Sequence, residues 1–121
     1  MKFYYKEQLI RTSKTHTYTH AAINEVDGKI YCKGCSTSEE GARKIIAKEM
    51  SEATRNLENA ESAIKAIEAG KDGYFYNEGR KKSYVKFNKE LTVEFYKQRI
   101  EWSKKSIEAI SKWQIVELEA R

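Results

Sequence analysis

Residues 18–35 read Tyr18-Thr-His-Ala-Ala-Ile-Asn-Glu-Val-Asp-Gly-Lys-Ile-Tyr-Cys-Lys-Gly-Cys35 and contain the clearest local signal of the chain. Two runs rich in β-branched and aromatic residues flank Asp27-Gly28, a dipeptide that tolerates the positive φ angles of a type I′ turn. The pattern predicts an antiparallel β-hairpin in which Val26 faces Lys29.

The predicted register decides which side chains share a face of the hairpin. Successive strand residues point to opposite faces, so Ala21 and Ile23 lie together on an apolar face that we expect against the core. We expect the opposite face to be solvated. It presents a candidate surface that suits RNA or a protein equally well: Tyr18, His20, Tyr31 and Lys33.

All histidines and cysteines of the chain fall between residues 16 and 35, and a tetrahedral zinc site uses these residue types: His16, His20, Cys32 and Cys35. In the predicted register His20 and Cys35 are direct neighbours, whereas Cys32 points to the opposite face. His16 lies roughly 13 Å from His20 along an extended strand. We therefore expect no metal and no cofactor. A redox C-x-x-C pair stays open as a minor alternative, because Cys35 precedes a predicted helix.

The rest of the chain predicts an α+β fold in a single domain, residues 1–121. Apolar residues at alternating spacings of three and four predict two helices whose seams close on each other as an antiparallel helical hairpin. The same seams fit an intermolecular coiled coil, which would make a dimer; we favour a monomer. We expect a small antiparallel N-terminal sheet packed on this long hairpin, with a C-terminal strand returning to it. The predicted segments are a β-meander (1–37), a helix (38–69), a basic aromatic loop (70–89), a helix (90–112) and a strand (113–120).

The central loop is the leading candidate for function. Residues 71–89 carry six Lys/Arg against two Asp/Glu, within a chain of net charge +5. Cations interleaved with aromatic rings are what single-stranded RNA or DNA requires, because the backbone needs charge and the bases need stacking surfaces. Alternatively, the aromatic rings cap the helical hairpin. The candidate binding residues are Tyr74, Tyr76, Arg80, Lys81, Lys82, Tyr84 and Lys86.

Several function classes lack support in the sequence. No glycine-rich phosphate loop and no nucleophile–base–acid arrangement are recognisable, so we do not expect an enzyme. No apolar run approaches the roughly 18 residues of a membrane span, and the N-terminus lacks the features of a signal peptide. Two cysteines so close together suit a reducing compartment, which predicts a cytoplasmic protein.

The N-terminal third resembles a group of known proteins. Phe3-Tyr-Tyr-Lys-Glu-Gln-Leu-Ile-Arg-Thr-Ser-Lys-Thr-His16, with Tyr18-Thr-His20-Ala, is similar to the start of small uncharacterised proteins carried by phages and mobile elements of Gram-positive bacteria. The resemblance implies a non-enzymatic inhibitor of host defence, such as an anti-CRISPR protein. Its partner would be a host protein or ribonucleoprotein, for example a CRISPR-associated nuclease. The alternatives are a small nucleic-acid-binding regulator and a zinc or redox protein.

Overall fold

A computed structural model describes residues 1–121 as an α+β protein with two helices and three antiparallel sheets. The chain forms two compact units, residues 1–49 with 110–121, and residues 50–109. The elements in chain order are β1 (Lys2–Tyr5), β2 (Gln8–Thr12), β3 (His20–Val26), β4 (Lys29–Ser36), α1 (Glu39–Glu68), β5 (Gly73–Asn77), β6 (Lys82–Lys86), α2 (Val93–Ser111), β7 (Gln114–Glu117) and β8 (Glu119–Ala120).

The first unit contains the predicted β3–β4 hairpin. Asp27 and Gly28 adopt φ angles of 52° and 79°, and Val26 pairs with Lys29. This is the expected two-residue turn, whose twist matches that of the flanking strands. The unit has one sheet of strand order β4-β3-β7 and another of order β2-β1-β8. The predicted N-terminal antiparallel strands and the returning C-terminal strand are confirmed.

A β-bulge changes the predicted register of β4. Ile23 pairs with Cys32, as expected, but the next residue of β3, Ala22, pairs with Gly34. Lys33 is therefore the extra residue that has no partner on β3. A bulge of this kind bends the strand and shifts every pair beyond it by one residue.

The bulge overturns the predicted neighbours of the cysteines. His20 lies opposite Ser36 instead of Cys35. Cys35 returns to the same face as Cys32, and their sulfur atoms are 3.7 Å apart. The expectation that the two thiols point to opposite faces is wrong, because one inserted residue reverses the facing of the residues that follow.

The face of the hairpin that was expected to be solvated is covered at its centre. Ala22 has no exposed surface. It lies opposite Gly34, where an added Cβ atom would come within 2.9 Å of Cδ1 of Ile45. The first turns of α1 therefore approach this face, and the hairpin is buried on both sides at this point.

The C-terminal strand divides between two sheets. β7 pairs with β3, whereas β8 pairs with β1. Between β7 and β8 the N–H of Leu118 donates to the carbonyl of Thr19 over 2.9 Å. The single predicted strand over 113–120 is thus two short strands that connect the two sheets of the first unit.

Hydroxyl side chains cap both helices. The Ser38 hydroxyl accepts from the N–H of Gly41 over 3.0 Å, and the Thr92 hydroxyl accepts from the N–H of Phe95 over 3.2 Å. Each satisfies one of the N–H groups that a helix start leaves without a partner. Neither helix combines the length and the apolarity that crossing a membrane requires.

The second unit contains the helical hairpin predicted from the two seams. Its core joins the small residues Ala60, Ala63 and Ala66 of α1 to Tyr96 of α2 and Tyr74 of β5. The spacings of three and four place Ala53, Leu57, Ala60, Ile64 and Ile67 in the predicted seam of α1 and omit Ala63 and Ala66, so the buried stripe is wider than the seam. Small side chains on this face leave room for aromatic rings, and large rings fill it.

Residues 73–86 of the predicted loop over 70–89 form a β-hairpin. β5 and β6 pair from Gly73 with Lys86 to Asn77 with Lys82. The turn between them is closed by the N–H of Glu78, which donates to the carbonyl of Lys81 over 2.9 Å. This four-residue turn lacks the Asn-Gly or Asp-Gly signature, which explains why the sequence pattern did not predict it.

The side-chain amide of Asn59 anchors this hairpin to α1. Its NH₂ group donates to the carbonyl of Asn77, and its oxygen accepts from the N–H of Asn77, both over 2.9 Å. Asn59 is only 5% exposed. The amide thereby satisfies both backbone groups of Asn77 as a neighbouring strand would.

Replacing Asn59 should destabilise the protein. In Asn59→Leu both backbone groups of Asn77 lose their partner, and each unpaired group costs about 1–3 kcal/mol where water is excluded. We expect the free energy of unfolding in urea to fall by about 2–4 kcal/mol. Asn56→Leu, at an exposed position of the same helix, is the matched control and should change it by less than about 0.5 kcal/mol. Equal shifts in the two variants would contradict the anchoring role.

Candidate functional site

Strand alternation divides the aromatic residues of the β5–β6 hairpin between an inner and an outer face. Tyr74 is 8% exposed; its ring stacks on Phe87 at 5.6 Å and meets Tyr96 edge-on at 5.7 Å. Burial and the neighbouring Tyr96 hydroxyl raise the pKa of Tyr74. Tyr76 is partly buried against the same cluster. These two predicted binding residues therefore belong to the core, as the capping alternative proposed.

The outer face presents two aromatic rings to solvent. Phe75 and Tyr84 are direct cross-strand partners, and they are 64% and 50% exposed. Their ring centroids are 5.2 Å apart at an interplanar angle of 63°. We call this pair the aromatic platform. Exposed neighbouring rings with this geometry provide apolar surface at which a planar ligand can stack.

Two contacts hold the ring of Tyr84 in place. Its hydroxyl donates to the carboxylate of Asp72, and this hydrogen bond raises the pKa of Tyr84. The end of the ring lies over Gly73, where an added Cβ atom would come within 2.7 Å of Cζ. Glycine at position 73 therefore lets the ring lie close to the hairpin backbone, so Tyr84 is oriented before any partner arrives.

Lysine side chains flank the aromatic platform. Lys82 and Lys86 are two residues either side of Tyr84 on β6, so all three point to the same face. Both lysines are exposed. Lys81 is exposed in the turn, but its amine lies 3.6 Å from the carboxylate of Glu78. Arg80 is exposed in the same turn. Of the predicted basic residues, Lys82 and Lys86 are thus the two that share a face with the platform.

The second predicted surface does not form a cluster. Tyr18 packs edge-on against the buried ring of Phe3 at 5.5 Å. His20 hydrogen-bonds to the hydroxyl of Thr19 over 2.8 Å. Each of these side chains has its own local neighbour, as does the bulge residue Lys33, which lies over Trp113 at 5.2 Å.

Tyr31 is the remaining member of that surface. It is 49% exposed and pairs with Asn24 near the turn of the β3–β4 hairpin. Its partner Asn24 is four residues from His20 along β3, and the buried Ala22 lies between them. Tyr31 therefore stands as an exposed tyrosine without the predicted companions.

The four residues considered for zinc are not brought together. No three His, Cys, Asp or Glu side chains are grouped closely enough to hold a metal ion. The ring of His16 stacks on Tyr18 at 5.7 Å, and its Nδ1 hydrogen-bonds to the hydroxyl of Thr15 over 2.9 Å. What the structure does assemble is the pair of free thiols, with Cys32 exposed and Cys35 half-buried.

The two thiols differ in their surroundings. Burial, with a smaller effect from the adjacent Cys32, raises the pKa of Cys35 to about 11. The Arg11 guanidinium nearby opposes this rise without cancelling it. At neutral pH Cys35 is therefore a protonated thiol, which disfavours the nucleophilic thiolate of a redox C-x-x-C site.

Alkylation with iodoacetamide should distinguish the two cysteines. Only the thiolate reacts, so the protonated and half-buried Cys35 should be modified after the exposed Cys32, and its rate should rise about tenfold per pH unit between about pH 8 and 10. Mass spectrometry of the peptides at timed intervals measures both rates. In urea-unfolded protein, where both thiols have pKa values near about 8.5, the rates should converge. Equal rates in the folded protein would contradict the assignment.

Phe75 is a candidate binding residue that the sequence pattern did not predict. The available signal was its position: it alternates with Tyr74 and Tyr76 and is therefore on the opposite face. Without a recognised turn, however, neither the pairing with Tyr84 nor the inward direction of Tyr74 could be assigned.

Comparison with known proteins adds no constraint on this site. No protein-family model, no curated protein and no solved structure matches the chain. The chemistry of the aromatic platform and its flanking lysines is therefore the basis on which a function is proposed.

Proposed function

We propose that this protein is a non-enzymatic binding protein that holds single-stranded nucleic acid on the outer face of the β5–β6 hairpin. The observation that carries the proposal is the exposed, oriented pair Phe75 and Tyr84, flanked by Lys82 and Lys86. Aromatic rings stack with any base, and lysines attract the phosphates, so the two residue types serve the two parts of one ligand.

A single strand fits this face better than a duplex does. The bases of a duplex are stacked on each other, so their faces are not open to the rings of Phe75 and Tyr84. The bases of a single strand are free to stack on Tyr84, whose ring is already oriented by Asp72 and Gly73. Pre-orientation lowers the entropy lost on binding.

The N-terminal resemblance suggests where such a strand is found. In phage and mobile-element proteins, the implied target is a host defence nucleoprotein, which presents segments of RNA or displaced DNA that are not base-paired. The protein would then act as an inhibitor in the bacterial cytoplasm by covering a guide-RNA segment of a CRISPR-associated nuclease. A regulator that binds free RNA would use the same face.

Fluorescence anisotropy with labelled oligonucleotides tests the proposal. Oligo(dT) and oligo(rU) of about 15 nucleotides, the upper range for one small binding domain, should bind at low salt. A duplex of the same length should bind more weakly. Binding of both single strands no better than the duplex would reject the aromatic platform as a base-stacking surface.

Removing the rings should weaken binding without unfolding the protein. Phe75→Leu and Tyr84→Leu keep apolar bulk but lose the stacking surface, which is worth about 1–3 kcal/mol per base, or about 5- to 150-fold in Kd. Tyr31→Leu is the matched control, because Tyr31 is 49% and Tyr84 50% exposed. Anisotropy should give an unchanged Kd for this control. A loss of equal size in all three variants would contradict a specific platform.

Removing the charges should instead change the salt dependence. Lys82→Ser with Lys86→Ser should lower the slope of log Kd against log salt by about 0.7 for each phosphate of a single strand that the variant no longer neutralises. The control, Lys104→Ser with Lys105→Ser, makes the same change in net charge at exposed positions of α2. Melting temperatures of both double variants should stay near that of the parent. Equal slopes in the two variants would indicate that net charge alone drives binding.

A further inference from the structure

We propose that Cys32 and Cys35 form a two-thiolate site for a thiophilic metal ion of tetrahedral preference, with Zn²⁺ as the reference ion. The site lies on β4 in the first unit and is independent of the nucleic-acid proposal, which uses residues of the second unit. It also differs from the four-ligand set considered from the sequence, since neither histidine takes part.

The separation of the sulfur atoms matches that of metal-bound thiolates. Cys32 Sγ and Cys35 Sγ are 3.7 Å apart, and with metal–sulfur bonds of about 2.3 Å one bridging ion would subtend an angle of about 107°, close to tetrahedral. An ion can therefore enter between the sulfurs with no change in their separation. The β-bulge at Lys33 produces this arrangement, because it returns Cys35 to the face of Cys32.

Access and charge also suit such an ion. Cys32 is exposed, so the site opens to solvent and a metal ion can reach it without any opening of the core. Two thiolates neutralise a divalent cation. Binding displaces the thiol protons, including that of the half-buried Cys35, so the affinity should rise with pH.

The ligand count defines how the site should behave. Two protein ligands leave two positions of a tetrahedral ion for water or for a small exogenous ligand. Binding is then reversible by chelators. The fold does not depend on it, because the hairpin is already closed by its own turn and by pairing with β7. This distinguishes the pair from a structural zinc site, whose loss unfolds the domain.

Titration of the reduced protein with Cd²⁺ tests the site, since cadmium is a thiophilic substitute for zinc with a thiolate-to-metal absorption in the ultraviolet. We expect the absorption to rise linearly to one ion per chain and then level off. Zn²⁺ should compete, and a chelator should remove the signal while the circular dichroism spectrum stays unchanged.

Variants decide which side chains hold the ion. Cys32→Ser and Cys35→Ser should each abolish the step at one ion per chain. Cys32 is exposed, so Cys32→Ser should keep the fold. If Cys35→Ser unfolds the protein, the titration of Cys32→Ser decides the test. His16→Ala with His20→Ala is the control and should leave the titration unchanged.

Three outcomes would overturn the proposal. The first is the absence of any thiolate absorption in the reduced protein. The second is a step at one ion for two chains together with a doubled mass, which would place the ion between copies. The third is loss of the signal in the double histidine variant, which would mean that the ligands are not the two thiols alone.

Discussion

Burial of Tyr74 against the alanine face of α1 decides which side of the β5–β6 hairpin faces water. Tyr74 lies between Phe87 and Tyr96, over positions of α1 where only small side chains occur. In a strand the residue next to a buried one must point outward, so Phe75 is exposed as a consequence. The pairing of Phe75 with Tyr84 then brings the second ring to the same face. The candidate binding surface is thus a result of core packing in the second unit.

The Asn59 amide fixes the other end of this arrangement. A two-stranded hairpin is marginally stable by itself, and its edge carries backbone groups that need partners. Asn59 supplies both partners at Asn77, next to the turn, while Tyr74 anchors the opposite end. The hairpin is therefore held at both ends of β5. A rigid support of this kind is what allows Asp72 and Gly73 to orient the ring of Tyr84.

Most of the regular elements could be predicted from the sequence, because their signals are local. Asp27-Gly28 specifies its own turn, and the apolar spacings of three and four specify the helices. The bulge at Lys33 has no comparable signal, since an extra residue in a strand leaves the composition of the strand unchanged. That single residue decided whether the two cysteines would be apart or adjacent. The bulge also removed Lys33 from its predicted pairing with Ala22.

The candidate site was harder to predict than the fold, since composition identified the segment but not the side chains. Six basic and five aromatic residues between 71 and 89 all looked equivalent in the sequence. The structure separates them by facing: Tyr74 and Tyr76 pack inward, Lys81 lies beside Glu78, and the exposed remainder includes the pair Phe75 and Tyr84. Leaving a phenylalanine 64% exposed forfeits a large part of the roughly 1.5–3 kcal/mol that burying such a side chain contributes. Phe75 and Tyr84 lie side by side between lysines, and in the free protein neither ring gains the full stabilisation that burial would contribute. Recovery of that stability on contact with a stacked base is the physical argument for the binding function proposed at this face.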